Sequence, residues 1–532
     1  MSESKKQSFL HGTMLLTVSA AIVKVIGALY KIPLNAIIGE QGFSYFNTAY
    51  EIYTVLMTIS VAGLPVAISR MISEAYALGH YNQVRQIYRT GRSVSLTLGI
   101  LGSLLMTLFC RQLAQFQEQP DAWFAICCLG PALLLICIMG TFRGFFQGQS
   151  NMTPTAVSQV LEAICKLIVG MAAAIALLQL TQQYSYAAGG AILGVTTSCV
   201  VSVVYLFFRY RKAKQALPLS DEPVNSFGST LKQLLSIAIP ITIGSAGLSL
   251  LTLLETKVYM SQLINLGYSQ DQADVMKGIY DMGKTIFNMP IAFVTPIAVS
   301  IVPAITSHAA VENYDGTKAT EESALRVLAL ICAPCSIGLI VLSQPVMGLL
   351  GGYTDTNLEL GGTLMALLGS SILFSAMIMV TNAIMQAHGH ANLPVINMFL
   401  GGLIKLTCTY VLTGNPHLGI VGAPIGALLG YLSIMALNLL TLRRCTKKPP
   451  AVFRQLSRPI LAAVLMGAVV LAFRLGLEHL LGPDCSTLIL TALPILVGVA
   501  VYAFAAIKLK AITRDDCLLL PKGEKIADIL HL

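Results

Sequence analysis

The chain consists largely of apolar segments of about twenty residues each, separated by short polar stretches. A helix of roughly 20 residues crosses a hydrocarbon core of about 30 Å, so segments of this length predict membrane-spanning helices. Only 11 % of the residues are charged, whereas soluble globular proteins typically carry about 25 %. An ordinary soluble enzyme or a disordered scaffold could not hide this much apolar surface from water. The sequence therefore predicts an all-α polytopic membrane protein.

Fourteen transmembrane helices are predicted along the chain. Their approximate bounds are 10–34, 44–68, 91–112, 122–146, 155–178, 186–208, 233–256, 279–306, 325–349, 360–387, 393–413, 420–441, 458–481 and 487–508. The first apolar stretch runs past twenty residues and contains Lys24. These features favour a retained first helix over a cleaved signal peptide.

The distribution of basic residues predicts the orientation of the chain. With a cytoplasmic N-terminus, 25 of the 34 Lys and Arg residues fall in cytoplasmic segments and six at outer loops and helix ends. Lys and Arg accumulate in this way on the cytoplasmic side of membrane proteins. We therefore expect a multi-pass protein of the bacterial cytoplasmic membrane with both termini in the cytoplasm. The net charge of +9 then reflects topology, and no nucleic-acid partner is expected.

An internal repeat divides the chain into two halves. Two similar segments, beginning at Gln147 and Gln386, lie 239 residues apart. The matched positions are Gln147 with Gln386, Pro154 with Pro394, and Lys166 with Lys405. The offset covers six predicted helices, an even number, so the halves have parallel topology. This predicts two pseudo-symmetric six-helix lobes, 1–215 and 216–445, with a substrate site between them near the midplane. Residues 446–532, with the last two helices, have no counterpart.

Charged residues inside the first two predicted helices are candidate functional residues. An ionisable group at the bilayer centre costs about 2.5–3.5 kcal/mol on insertion scales, so it needs a partner or water. Lys24 and Lys31 are seven residues apart and share a helix face. The position of Lys24 near the middle of the first predicted helix favours a cavity-facing role. Lys31 lies near the end of that helix and could equally extend to the outer interface. Glu51 is the one charge in a polar stripe that suits either the wall of a wet cavity or interhelical hydrogen bonding.

The eighth predicted helix combines charge with prolines. Its polar residues are Asp281, Lys284 and Asn288, and its prolines are Pro290, Pro296 and Pro303. Each proline removes a backbone hydrogen bond and favours bending. We therefore predict that this helix is a moving gate with a polar, substrate-facing side.

A second set of intramembrane charges lies at the repeated positions. Glu162 and Lys166 have i, i+4 spacing with the acid first, which predicts a structural ion pair within one helix. Lys405 occupies the position equivalent to Lys166, but Gly401 stands where the acid would map. Lys405 is therefore a candidate substrate-binding residue.

Motifs for catalysis are not found in the sequence. The chain has no Gly-rich phosphate loop before a basic helix, no nucleophile elbow and no metal-ligand cluster. We therefore expect a transporter rather than an enzyme, with no catalytic residues, no metal and no cofactor. A coupling ion is left open.

The first predicted helix, reading Lys24-Val-Ile-Gly-Ala-Leu-Tyr-Lys31, and the segment 288–307 resemble the MurJ/SpoVB-like lipid flippases of the MOP exporter superfamily. The resemblance covers nearly the whole chain. It implies translocation of an undecaprenyl-pyrophosphate-linked cell-wall precursor such as lipid II by alternating access. It also implies that Lys24, Lys31 and Lys284 match cationic cavity residues. This chain differs in having Lys where better-known members have Arg, and Glu51 where a further cation is expected.

The resemblance further implies that the last two helices help to form a groove for the lipid tail. The expected partners are the lipid-pyrophosphate-linked saccharide and membrane lipids, and the expected state is a monomer. Two other functions remain open from the sequence. One is a cation-coupled multidrug exporter of the same superfamily, for which Glu51 and Glu162 are the intramembrane acids. The other is a flippase for a different polysaccharide or teichoic-acid lipid intermediate.

Overall fold

The regular structure of the computed structural model is entirely helical in the residues it describes, which are 9–218, 222, 224–310, 312–481 and 486–511. The predicted all-α class is therefore confirmed. The α-helices are α1 (Phe9–Val61), α2 (Leu64–Ala77), α3 (Tyr81–Leu108), α4 (Cys110–Phe116), α5 (Trp123–Gly148), α6 (Thr153–Thr181), α7 (Tyr184–Gln215), α8 (Phe227–Asn265), α9 (Gln270–Ala310), α10 (Tyr314–Val341), α11 (Ser343–Gly351), α12 (Asp355–Ala387), α13 (Asn392–Thr413), α14 (Gly422–Cys445), α15 (Val452–Leu481) and α16 (Thr487–Lys508).

Within the described ranges, thirteen segments are long and apolar enough to cross a membrane. The first of them, Ile22–Ala77, is 56 residues long and covers two of the predicted helices. Gly39 interrupts α1 with φ 66° and ψ 179°, a conformation that favours glycine. The predicted number of fourteen is therefore not confirmed, and the difference arises where two predicted helices run on through Gly39.

The described part of the chain forms two compact units. Unit 1 contains the residues up to Ile264 together with Tyr268–Gly278, and unit 2 contains Asn265–Gly267 and the residues from Ile279 onward. Helix α9 thus contributes its first turns to unit 1 and its remainder to unit 2. The predicted lobes are a division by sequence repeat, and their boundaries stay a prediction.

In unit 1, glycines allow α6 and α7 to pack with their backbones in contact. A Cβ atom on Gly194 would lie 2.2 Å from the Cα atom of Gly170, and one on Gly190 would lie 2.6 Å from the carbonyl oxygen of Ala173. Gly190 and Gly194 are four residues apart, so they share one face of α7. This is the small-residue pattern by which membrane helices approach closely.

In unit 2, the last two helices pack onto the rest of the unit through a small number of neighbours. Helix α15 packs against α10 and α16, and α16 also contacts α11.

The helices that carry the repeated segments have similar packing. Helix α13 packs against α14, as α6 packs against α7 in unit 1. Lys166 and Lys405 lie at the same distance from the starts of α6 and α13. The repeated sequence positions therefore have equivalent helical positions.

Candidate functional site

The predicted cation Lys31 is held across the break in α1. Its Nζ donates to Oδ1 of Asn47 at 3.0 Å, and Nδ2 of Asn47 donates to the carbonyl oxygen of Phe43 at 2.8 Å. The same Nζ lies 6.0 Å from the ring centroids of Phe43 and Phe46. The ammonium group is therefore positioned by the second half of α1, a contact that the non-helical Gly39 makes possible.

Other predicted residues of α1 lie on partly open surfaces. The Lys24 side chain is exposed, and Glu51 is half-buried. Two threonines of the polar stripe, Thr54 and Thr58, donate to backbone carbonyls one turn earlier, each at 2.7 Å. Thr58 also contacts Oγ of Ser249 in α8 at 3.2 Å. The stripe thus contributes interhelical hydrogen bonding, one of the two roles expected for it.

Glu162, which was predicted to pair with Lys166 within α6, contacts a residue of a neighbouring helix. Glu162 instead accepts from Arg143 of α5, with 3.1 Å between Oε2 and the guanidinium nitrogen. Nε of Arg143 also donates to Oγ of Ser158 at 3.1 Å. An i, i+4 spacing permits an ion pair within one helix, but a residue of a neighbouring helix can form a more favourable pair with the same acid. Arginine is suited to this role because its guanidinium group can donate to two acceptors at once.

Lys166 is left beside aromatic rings. Its Nζ lies 5.5 Å from the ring centroid of Tyr30 and 5.9 Å from that of Tyr50. Tyr30 directs its hydroxyl away, donating to the carbonyl oxygen of Ala191 at 3.0 Å. Both rings pack on Phe46, at centroid distances of 5.9 Å for Tyr30 and 4.9 Å for Tyr50. The ammonium group therefore lies against the faces or edges of rings rather than against a carboxylate.

A buried polar cluster at one end of unit 1 was not predicted. Its centre is Asp274, a fully buried carboxylate in the first turns of α9. Asp274 accepts from the Tyr45 hydroxyl at 3.0 Å, from Nε2 of Gln119 at 2.6 Å and from Nε2 of Gln270 at 3.1 Å. Gln119 also hydrogen-bonds Ser44 and Thr48. Several neutral donors thus replace the hydrogen bonds to water that the carboxylate loses on burial.

The same cluster explains the polar start of α9. Lys277 is fully buried one turn after Asp274. At Gly278, an added Cβ would lie 2.0 Å from the carbonyl oxygen of Glu40, so only glycine fits there. The eighth membrane helix is predicted from the sequence to begin at about residue 279, which places this segment outside it. Sequence spacing could not indicate this cluster, because its members come from three separate segments of the chain.

In unit 2, the predicted residues Asp281 and Lys284 form an ion pair within α9. Nζ of Lys284 lies 2.6 Å from Oδ1 of Asp281, and the Asp281 side chain is 2 % exposed. Lys284 also lies 5.0 Å from the ring centroid of Tyr280. Nδ2 of Asn288 donates to the backbone carbonyl of Lys284 at 2.8 Å. The three predicted polar residues are therefore brought together on successive turns, with the lysine charge balanced by its neighbour.

The predicted hinge prolines all lie within α9, which is helical from Gln270 to Ala310. Pro290 lines a groove described below, and the side chain of Pro296 lies outside the described residues. Pro303 lies near the end of the helix. Their role as a hinge stays a prediction.

Lys405 lies beside an aromatic ring, as its repeat partner Lys166 does. Its Nζ lies 5.4 Å from the ring centroid of Tyr431. A Cβ on Gly430 would lie 2.5 Å from Cβ of Lys405, so glycine provides the space for the lysine stem between α13 and α14. The two equivalent lysines thus share an aromatic environment in their separate units.

Unit 2 contains an apolar groove of about 550 Å³. Helices α9, α10, α11, α15 and α16 line it, almost entirely with aliphatic side chains, glycine and proline. Its polar exceptions are Cys335 and Tyr502, and the Tyr502 hydroxyl donates to the carbonyl oxygen of Leu330 at 3.0 Å. Both helices that have no counterpart in the repeat line this groove, and the lipid-tail role that the resemblance implies for them stays a prediction.

Metal chemistry is not indicated by the side chains. Across the ranges that the structure covers, no group of three or more His, Cys, Asp or Glu residues could hold a metal ion. The described residues include ammonium groups near aromatic rings in unit 1, and an Asp–Lys pair and an apolar groove in unit 2. Such groups can bind and release an amphiphilic anion without forming or breaking covalent bonds.

Comparisons with known proteins identify the family and the fold of the chain. The model of the polysaccharide biosynthesis protein family matches residues 9–309. The lipid II flippase MurJ of Bacillus subtilis (strain 168) is 24 % identical over 450 residues, covering 82 % of each chain.

Two solved structures show the same fold. The lipid II flippase MurJ in its inward closed conformation matches with a TM-score of 0.69 at 12 % identity, covering 93 % of this chain and 98 % of that one. An inward-facing multidrug resistance MATE family transporter of the MOP superfamily matches with a TM-score of 0.63 at 15 % identity, covering 80 % of this chain and 98 % of that one. The chain therefore belongs to the polysaccharide biosynthesis protein family, and its fold is that of the MOP-superfamily transporters.

Proposed function

We propose that this protein is a flippase that moves an undecaprenyl-pyrophosphate-linked cell-wall precursor, similar to lipid II, across the cytoplasmic membrane by alternating access. The observation that carries the proposal is the groove of about 550 Å³ lined by α15 and α16. A polyprenyl chain is a long hydrocarbon, and an apolar groove of this kind removes it from lipid without requiring any hydrogen bond. The MurJ relative is named a lipid II flippase, which supports the same cargo class.

The head of such a cargo is an anionic diphosphate, and the chain offers cations for it. Lys24 and Lys31 in unit 1 and Lys284 in unit 2 are the proposed phosphate-binding residues. Lysine binds phosphate as a compact point charge with three donors, without the fixed fork of arginine. We further assign Glu51, Asp281, Asn288 and Lys405 to the polar surroundings of the head, where they bind sugar hydroxyls or balance charge.

The proposal includes an orientation and a partner set. Both termini lie in the cytoplasm, because this places most basic residues on the cytoplasmic side. The partners are the lipid-linked saccharide and the surrounding membrane lipids, and the working unit is a monomer. No cofactor takes part, because translocation leaves every covalent bond of the cargo intact.

The test uses purified protein in liposomes that contain lipid II with a fluorescent label on its headgroup. A membrane-impermeant quencher then reports how fast the label changes leaflet. We expect the protein to increase the rate well above that of empty liposomes. In cells depleted of their native flippase, the wild-type gene should restore growth, and Lys24→Ala should not restore it at equal expression. Full rescue by Lys24→Ala would overturn the assignment of that residue, and no flipping by wild type would overturn the function.

The multidrug-exporter alternative would use Glu51 or Glu162 as its cation-binding acid in the first lobe. Arg143 already neutralises Glu162, so this alternative would depend on Glu51. The alternative of another polysaccharide or teichoic-acid lipid uses the same groove and cations. Competition with unlabelled lipids that differ only in the headgroup distinguishes these cargoes in the liposome assay.

A further inference from the structure

The ion pair between Arg143 and Glu162 is fixed by more than one contact. The guanidinium nitrogens reach Oε2 of Glu162 at 3.1 Å and Oγ of Ser158 at 3.1 Å. The backbone carbonyl of Ser158 accepts in turn from Oγ of Ser202 at 3.0 Å, which ties this part of α6 to α7. Both charged side chains are partly buried, at 15 % and 26 % exposure. Glu162 is therefore held towards α5 by a specific, hydrogen-bonded arginine.

Lys166 forms no ion pair with Glu162 as a result, although the Glu162 charge still acts on it. It lies one helical turn after Glu162, the spacing at which the two would otherwise pair. In the described structure its Nζ contacts the rings of Tyr30 and Tyr50 and forms no ion pair. Aromatic rings stabilise an ammonium group only weakly, by about 0.5–2 kcal/mol, and leave its hydrogen-bond donors available.

The same aromatic cluster carries a second ammonium group. Nζ of Lys31 lies 6.0 Å from the ring centroid of Phe46, and Phe46 packs on both rings that contact Lys166. Lys31 and Lys166 therefore both border the same aromatic cluster in unit 1, and both are partly exposed. Two positive charges that border one aromatic cluster match the two phosphates of a diphosphate better than they match a neutral or cationic cargo.

We propose that Lys166 is a headgroup-binding residue that acts together with Lys31, and that Arg143 is a positioning residue that keeps Glu162 from neutralising it. The inference rests on the proposed function and names the chemical group bound in unit 1, a diphosphate ester. Arg143 does not touch the cargo. Its contribution is to leave Lys166 without a carboxylate partner.

The test measures the binding of farnesyl pyrophosphate, a soluble polyprenyl diphosphate, to full-length protein in detergent micelles. Lys166→Met retains the apolar stem that packs on the rings and removes the charge. We expect it to weaken binding about tenfold or more, as for loss of one charge-assisted hydrogen bond. Lys166→Arg should bind within about threefold of wild type. Lys508→Ala, which removes an exposed lysine of α16, is the matched control and should bind like wild type.

The role of Arg143 is tested by an asymmetry between two variants. In Arg143→Gln, Glu162 becomes available to pair with Lys166, so binding should weaken about as much as in Lys166→Met. Glu162→Gln and the double variant Arg143→Gln with Glu162→Gln both leave Lys166 charged, so both should bind at least as tightly as wild type. If the ion pair were purely structural, Arg143→Gln and Glu162→Gln would weaken binding equally, and the double variant would not recover wild-type binding.

The outcomes separate this inference from the proposed function. If wild-type protein binds no farnesyl pyrophosphate, the proposed diphosphate cargo fails. If wild type binds it and Lys166→Met binds it equally well, only the role of Lys166 is overturned. Should Lys166→Met not fold, as judged by its thermal unfolding midpoint, the Arg143 and Glu162 variants decide the question because they retain the lysine.

Discussion

Gln119 donates from Nε2 to Oδ1 of Asp274 at 2.6 Å, and both side chains are fully buried. This contact joins the loop after α4 to the first turns of α9, and the two residues are 155 positions apart in the sequence. Tyr45 and Gln270 donate to the same carboxylate. One acidic side chain thus holds three segments of unit 1 together, and the stability of that end of the unit should depend on it.

Removal of the carboxylate should destabilise the protein strongly. Asp274→Ala leaves the buried amide of Gln119, the partly buried amide of Gln270 and the Tyr45 hydroxyl without their common acceptor. We expect the free energy of unfolding in detergent to fall by about 2–4 kcal/mol. The control is Asp271→Ala, which removes an exposed acid from the same helix and should change stability by less than about 1 kcal/mol. Equal effects of the two substitutions would show that the cluster is not important for stability.

The close approach at Gly278 gives a second stability prediction. Gly278→Ala would place a methyl group 2.0 Å from the Glu40 carbonyl oxygen, so the two segments must move apart. We expect a large fall in the thermal unfolding midpoint. Gly247→Ala is the matched control, because no atom lies within 4 Å of the added Cβ. Alanine favours helix over glycine by up to about 1 kcal/mol, so the control should be neutral or slightly stabilising.

The Asp281–Lys284 pair predicts a separation of stability from transport. Lys284→Met leaves a carboxylate that is 2 % exposed without its lysine, which should cost about 3–5 kcal/mol. The double variant Asp281→Asn with Lys284→Met should recover most of this stability. If Lys284 also binds the headgroup, the double variant should fold normally and still flip lipid slowly. Recovery of both stability and flipping would show that Lys284 has only a structural role.

Filling the groove should affect the tail and not the head of the cargo. Gly338 lines the groove, and its nearest neighbour to an added Cβ is Cε of Met466 at 3.9 Å, so a larger side chain can enter the open space. We expect Gly338→Phe to fold and to bind farnesyl pyrophosphate normally, yet to flip long-chain lipid at least tenfold more slowly. Gly476→Phe in α15, also without close neighbours, should flip normally. Unchanged flipping by Gly338→Phe would exclude the groove as the tail site.

The helices of the membrane were predictable from apolar length, but the contacts of their polar residues were not. The prediction began the eighth membrane helix at about residue 279, whereas α9 begins at Gln270, because the polar residues of its first turns are buried through partners from elsewhere in the chain. Sequence spacing also paired Glu162 with Lys166, although Arg143 is its partner. Spacing reports neighbours on one helix only, and the choice between helices depends on packing.

The hydrogen bond from Tyr502 to the Leu330 carbonyl has a consequence for how a tail would be recognised. It satisfies the tyrosine hydroxyl within the wall, so the wall offers a lipid chain almost nothing but hydrocarbon surface. Dispersion contacts of this kind are not directional, so they do not recognise double bonds or methyl branches at particular positions of a chain. The groove should therefore accept saturated and isoprenoid chains alike, with selection depending on the length and bulk of the tail rather than on its chemical pattern.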